Sequence, residues 1–313
     1  MKLDKNAPFY IAGHGGMVGS ALLRRLKSAG FTNILTRDFP SLDLRDSAAT
    51  DAFFESTRPR YVILAAARVG GILANQKAPA DFLYDNCMIA MNVLHAAKEY
   101  GTEKLLFLGS SCIYPRDAAQ PIKESSLLTG PLEQTNEGYA LAKIAGLRYA
   151  SYLRRQYGCD FISCMPTNLY GIGDNYHPTD SHVIPALIRR FHSAKEEGKA
   201  SVSVLGTGRP LREFLFSEDL ADAALFLMER YSDEQTVNVG SGEEVSIAEL
   251  ARLVARTVGY EGRIVFDESA PDGTPRKRLD TSVLDSLGWT AKTNLKEGLP
   301  VAYNDFLRAD TRK

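Results

Sequence analysis

Along the chain, short runs of consecutive apolar residues alternate with longer stretches in which apolar positions recur every three or four residues. The short runs are Phe9-Tyr10-Ile11-Ala12, Asn33-Ile34-Leu35-Thr36, Tyr61 to Ala66, Lys104 to Leu108 and Phe161 to Met165. Continuous apolar segments of this length predict strands covered on both faces, as in a parallel sheet. The longer stretches predict helices over Met17–Ala29, stopped by Gly30, and over Arg45–Thr57, halted before Pro59. Two more are predicted near Pro79–Tyr100 and Glu137–Tyr157. Strand and helix in alternation, joined by short connections, imply right-handed βαβ units and an α/β fold with a Rossmann-type doubly wound parallel sheet. Beyond residue 170 the pattern loosens. The segments Tyr170–Ser181, Gly206–Arg212 and Pro271–Arg278 are rich in Gly or Pro and suit a smaller α/β lobe that binds substrate. The expected division is residues 1–168 and 214–240 for the large lobe, with 169–213 and 241–313 for the small one.

A chain of 313 residues with 44% hydrophobic and 24% charged residues has the makeup of a folded enzyme, not of a disordered or fibrous chain. With 37 basic against 38 acidic residues, the net charge of -1 argues against a general nucleic-acid binder. The longest apolar run, Tyr61 to Ala67, is strand-sized, well short of the roughly 18 residues of a spanning helix. Residues Met1–Asn6 hold no apolar stretch of signal-peptide length, so the expectation is a cytosolic protein without a membrane segment. Cys87, Cys112, Cys159 and Cys164 are irregularly spaced, with no C-x-x-C pair. They are expected to be free thiols, with no metal site.

The first predicted strand runs into Gly13-His14-Gly15-Gly16-Met17-Val18-Gly19 and then a helix. Gly13, Gly16 and Gly19 remove side chains where a backbone must turn tightly, approach a pyrophosphate, or let a helix lie close to a sheet. The commoner G-x-G-x-x-G fingerprint would have its last glycine at Val18. Position in the chain makes this a dinucleotide loop. The second strand ends Leu35-Thr36-Arg37-Asp38. A carboxylate there would take a ribose diol, but Arg37 comes first and a guanidinium suits a 2′-phosphate, so NADP(H) is expected over NAD(H).

After the fourth strand comes Gly109-Ser110-Ser111-Cys112-Ile113-Tyr114-Pro115, and further on Tyr139-Ala140-Leu141-Ala142-Lys143. Tyr139 and Lys143 are four apart and share a helix face. A lysine beside a phenol is expected to draw the phenol pKa from ~10 toward neutrality, with Ser110 holding a carbonyl oxygen against it.

With these motifs the sequence resembles the extended short-chain dehydrogenase/reductase family of nucleotide-sugar epimerases, reductases and dehydratases. Further segments extend the likeness from about Phe9 to Phe306: Met-Pro-Thr-Asn-Leu-Tyr-Gly (165–171), Ser-His-Val-Ile-Pro-Ala-Leu-Ile-Arg-Arg-Phe-His (181–192), Arg-Glu-Phe-Leu (212–215) and Pro-Asp-Gly-Thr-Pro-Arg-Lys (271–277). They are similar to the branch that epimerises C3 and C5 and reduces C4 of GDP-4-keto-6-deoxy-D-mannose with NADPH, giving GDP-L-fucose. The resemblance implies Ser110, Tyr139 and Lys143 as the reductive group, and Cys112 with His182 as the epimerisation pair. It implies cofactor contacts at Gly13, Gly15, Gly16, Met17, Val18, Gly19, Arg37, Asp43, Leu44, Leu108, Ser110, Ser111, Lys143, Pro166, Asn168, Leu169 and His182. Substrate contacts fall on Arg190, Leu205, Arg212, Asp272 and Lys277. Three positions depart from the family's pattern: Gly15 replaces an arginine, Gly138 a proline, and Leu205 a tryptophan that can line the guanine. A homodimer paired through the two long helices is also implied. Related GDP-4-keto sugars, a 3,6-dideoxy sugar or a heptose, are the nearest alternative substrates. A non-catalytic NADP-binding regulator is the alternative of another class, against which the presence of Tyr139 and Lys143 counts.

Overall fold

The inner strands of the large sheet are almost entirely buried, its edge strand β2 is half-buried, and their order follows from how the chain crosses over. The computed structural model describes residues 2–178, 180–270 and 272–308. Thr179, Pro271 and residues 1 and 309–313 lie outside the described residues, so the Pro271–Lys277 motif is followed from Asp272. The first half runs β1 (Phe9–Ala12), α1 (Met17–Ser28), β2 (Ile34–Leu35), α2 (Ser47–Thr57), β3 (Tyr61–Leu64), α3 (Ile72–Lys77), α4 (Pro79–Glu99), β4 (Lys104–Leu108), α5 (Glu137–Tyr157) and β5 (Asp160–Pro166). The second runs β6 (Asn168–Tyr170), α6 (Val183–Glu196), β7 (Ser201–Leu205), β8 (Leu211–Phe216), α7 (Ser217–Arg230), β9 (Val237–Val239), β10 (Glu244–Ser246), α8 (Ile247–Val258), β11 (Arg263–Asp267), β12 (Arg276–Lys277), α9 (Ser282–Ser286) and α10 (Leu295–Arg308).

A six-stranded parallel sheet has the order β2-β1-β3-β4-β5-β9, the doubly wound arrangement expected of right-handed crossovers. One apolar core packs α1 and α7 on one face. A second, around Phe54, Val93, Phe107 and Leu147, packs α2, α4 and α5 on the other. A third core, including Tyr170, Phe191, Phe214 and Val254, lies between α6, α8, α10 and the small sheets β10-β8-β12 and β11-β7. Leu284 and Trp289, late in the chain, return to the first core. No helix among the described residues is long and apolar enough to cross a membrane.

Helix ends match local chemistry. Asp46 caps α2 by accepting the Ala49 N–H at 3.1 Å, so this helix starts two residues later than the expected Arg45. Ser246 and Glu249 form a reciprocal capping box on α8, and Gly259 in the left-handed region closes it. The short α3 was not expected from the sequence, because Ile72 and Leu73 point to solvent and leave no apolar stripe to read.

One ion pair fixes the register of the sheet's centre. Lys104 is buried at the start of β4; its Nζ donates to Asp160 Oδ2 at 2.8 Å and to the Tyr231 carbonyl. Asp160 is its register partner on β5 and also accepts from Arg154 at 2.7 Å and Ser232 at 2.8 Å. Removing one partner of a buried pair strands the other charge. Asp160→Ala should therefore cost about 3 kcal/mol in urea unfolding, and Lys104→Met in the same chain should recover most of it. A loss below about 1 kcal/mol would show that Lys104 finds adequate solvation without the carboxylate.

Candidate active site

At the end of β4 the chain leaves the sheet through Gly109, and Ser110 caps a single 3₁₀ turn, Ser111–Ile113. The Ser110 hydroxyl accepts the Cys112 N–H at 3.3 Å and lies near enough to the Tyr139 phenol and the Cys112 thiol to favour the ionised form of each. Tyr139 and Lys143 come from the first turns of α5, which lies across the end of β4. Lys143 is buried; its Nζ donates to the Leu108 carbonyl at 2.8 Å and sits 5.7 Å from the centre of the Tyr139 ring. Gly138 is needed for this approach, because a Cβ there would lie 2.7 Å from the Pro79 carbonyl oxygen at the start of α4.

Burial dominates the electrostatics. It pushes the Tyr139 phenol above its ordinary range; the Cys112 thiol adds to the rise and the nearby Ser110 hydroxyl opposes it. Burial also pulls the Lys143 ammonium down to about 8, with the Cys112 and Cys164 thiols opposing. The expected direction for the phenol is thus reversed. Lys143 is buried and Tyr139 partly so, and desolvation disfavours phenolate and ammonium alike. The consequence is useful: the phenol stays protonated as a donor, and the lysine titrates near neutrality as a proton source behind it. Cys112, 5% exposed, is pushed up by burial while Lys277, Ser110 and Lys143 favour its thiolate. Lys277 is lowered by burial, with the Cys112 thiol opposing the fall. A cationic neighbour of this kind makes a buried thiol usable as a base.

The glycine loop fits a dinucleotide. Gly13 has φ +86°, and a Cβ on it would sit 2.6 Å from Ala66 Cα on the neighbouring strand's exit. A Cβ on Gly19 would overlap the Gly13 carbonyl, whereas one on Gly15 would meet nothing within 4 Å. Gly16 caps α1 without a side-chain bond, leaving the first N–H groups of Met17, Val18 and Gly19 to an anion. Arg37 is exposed just beyond β2, its guanidinium 5.4 Å from the centre of the Phe53 ring. Asp43 accepts from Arg45 and lies below its usual pKa for that reason, and the Asn92 amide on α4 holds the Leu44 carbonyl at 2.9 Å. Ser111 is buried in the turn after Leu108. Pro166 ends β5; the Asn168 amide donates to the Glu213 carbonyl at 2.9 Å, and Leu169 packs on the first core.

The substrate-side residues gather on the small lobe. β12 pairs with β8 so that Lys277 stands beside Arg212, and Asp272 interacts electrostatically with Arg212. Asp272 accepts the Thr207 N–H at 2.9 Å and the Thr207 hydroxyl at 2.6 Å, which hold it below the usual carboxylate range. Thr207, bracketed by Gly206 and Gly208, was missed among the candidates, although the glycines mark the turn. Burial lowers Arg212, whose Nη1 donates to the Leu211 carbonyl at 2.8 Å. Arg190 is exposed on α6 and donates to the Ser203 carbonyl at 2.8 Å, two residues before the exposed Leu205. His182 caps the start of α6, after a loop whose Asp180 carbonyl accepts the Gly71 N–H at 3.1 Å. Its edge is open to solvent, yet the surrounding protein still disfavours the imidazolium and lowers its pKa.

Residues 9–240, from the first residue of β1 to just past β9, match the model of the NAD dependent epimerase/dehydratase family. The chain belongs to that family. Among its relatives is GDP-L-fucose synthase 1 of Arabidopsis thaliana, 56% identical over 305 residues that cover 97% of this chain and 94% of that protein. A GDP-L-fucose synthetase from Naegleria fowleri, solved bound to NADP, superposes with a TM-score of 0.92 at 28% identity, covering 100% of this chain and 98% of that one. A GDP-6-OMe-4-keto-L-xylo-heptose reductase from C. jejuni gives a TM-score of 0.94 at 36% identity, covering 99% and 100%.

The lysine reading has a direct check. With ¹³Cε-labelled lysine, one resonance should titrate near pH 8 and be missing in Lys143→Met. If every lysine titrates near its ordinary value of ~10.4, the ammonium is solvated and the site is wetter than described.

Proposed function

We propose that the chain catalyses the NADPH-dependent 3,5-epimerisation and 4-reduction of GDP-4-keto-6-deoxy-D-mannose to GDP-L-fucose. The observation that carries this reading is the grouping of Ser110, Cys112, Tyr139 and Lys143 at the end of β4, where Ser110 accepts the Cys112 N–H and the Lys143 ammonium lies 5.7 Å from the centre of the Tyr139 ring. A plain ketone reductase has no use for a thiol beside the phenol. The high identity to a GDP-L-fucose synthase over nearly the whole chain supports the same substrate, and the heptose reductase, at lower identity, is a more distant guide.

Protons on C3 and C5 flank the C4 ketone, so removing either leaves an enolate. Tyr139 and Ser110 donate to the enolate oxygen in a site from which water is excluded. Cys112, favoured as thiolate by Lys277, takes the proton, and His182 returns one from the opposite ring face. The bound nicotinamide supplies hydride to C4. Tyr139 then gives its proton to O4, and Lys143 replaces it. Arg37 would hold the 2′-phosphate and the helix start Met17–Gly19 the pyrophosphate. Arg190 and Arg212 would clamp the nucleotide diphosphate, with Leu205 and Asp272 at the base end. The exposed apolar side chains Leu83 and Tyr84 on α4 and Leu141 and Tyr152 on α5 support pairing of two copies through these helices.

Two variants separate the steps. Tyr139→Phe should lower NADPH-dependent turnover at least ~10²-fold while cofactor binding is retained, the usual scale for a general acid. Cys112→Ser keeps the volume but offers too weak an acid, so deuterium from solvent should no longer enter C3 and C5 of substrate incubated with oxidised cofactor. Full incorporation by Cys112→Ser would remove the thiol from the reaction.

A further inference from the structure

The turn after β2 sets opposite charges side by side, and the structure sends them to different places. Asp38 Oδ1 lies 3.2 Å from His14 Nε2, so the glycine loop reaches across to the end of the neighbouring strand. The His14 side chain is 19% exposed, and its other ring nitrogen, Nδ1, is buried with no hydrogen-bond partner. Its one bond to a carboxylate therefore goes to a residue that is itself 77% exposed. Arg37 turns the other way, over Phe53, with Nη1 donating to the Thr36 carbonyl at 2.7 Å. Beside them Gly15 leaves open space where no side chain adds charge.

A carboxylate at the end of the second strand accepts a ribose diol and repels a 2′-phosphate, while a guanidinium does the reverse. This chain carries both, so the position of the carboxylate decides which one the ribose meets. We propose that His14 is a positioning residue that ties Asp38 to the glycine loop, and that this tie sets cofactor discrimination. Held by His14, Asp38 yields the ribose edge to Arg37 and to a 2′-phosphate. Released, it competes for the diol and opposes the phosphate. The proposal rests on the NADP(H) reading above and names what limits it.

Binding of NADP⁺ and NAD⁺ to the full chain, measured by calorimetry without sugar, tests it. Replacing the charge in Asp38→Asn should raise the ratio Kd(NAD⁺)/Kd(NADP⁺) by about threefold, the scale of one exposed and partly screened charge. His14→Ala should lower the ratio by a similar factor, and His14→Gln, which can still donate to Asp38, should restore it. In the Asp38→Asn background His14→Ala should change the ratio less than about twofold, because the coupling has lost its partner. An unchanged ratio in His14→Ala with the fold intact by circular dichroism would overturn the proposal. So would an equal shift with and without Asp38. The NADP(H) reading fails on a different result: Arg37→Ala weakening both nucleotides equally.

Discussion

Everything at the centre of this molecule depends on packing one small group of titratable side chains against the end of β4. Ser110 and Cys112 leave the end of β4, Tyr139 and Lys143 enter from α5, and Lys277 closes the pocket from β12. In water the phenol, thiol and ammonium groups would each titrate on their own. Packed together, each is shifted mainly by burial, and the shifts run against charge in every case: phenol and thiol up, both lysines down. The group therefore holds its proton on tyrosine, sets Lys277 against burial at the Cys112 thiol, and keeps a lysine poised to exchange a proton. That arrangement suits proton donation to a ketone oxygen and carbon-acid chemistry beside it, and it makes hydrogen bonds inside the pocket count for more than they would in solvent.

The two lobes meet through a second buried acid. Glu213 on β8 is fully buried; Oε1 accepts the Gly242 N–H and Oε2 the Leu279 N–H, each at 2.9 Å. Its main-chain carbonyl accepts from Thr167 and Asn168, which lead out of β5. A residue next to Arg212 thus ties together the exit of the large sheet, the loop from β9 to β10 and the segment after Lys277. Arg212 and its neighbour Lys277 are in this way fixed relative to Ser110, Cys112, Tyr139 and Lys143.

Much of this was legible in the sequence, for physical reasons. The inner strands β1, β3, β4 and β5 are covered on both faces and stand out as apolar runs, whereas β9, with Asn238 at its centre, does not. β4 and α5 match their expected bounds because Gly109 and Gly158 punctuate them. The small sheets were hidden: β12 is two residues long and β7 alternates buried with exposed positions, so neither forms a run that stands out from a loop. The residues of the catalytic group could be picked out by spacing and resemblance, but the direction of the Tyr139 shift could not. It depends on desolvation, which arises only once α5 is packed on β4. The tie between His14 and Asp38 was equally invisible, since it joins two loops whose proximity is set by parallel pairing of β1 and β2.

One pocket that inverts two centres and then reduces a third leaves an isotopic record. Unmodified protein given GDP-4-keto-6-deoxy-D-mannose and NADPH in deuterated water should release GDP-L-fucose carrying deuterium at C3 and C5, with the C4 hydrogen drawn from the nicotinamide. A 4-reduced product of unconverted configuration, without deuterium at C3 and C5, would contradict it.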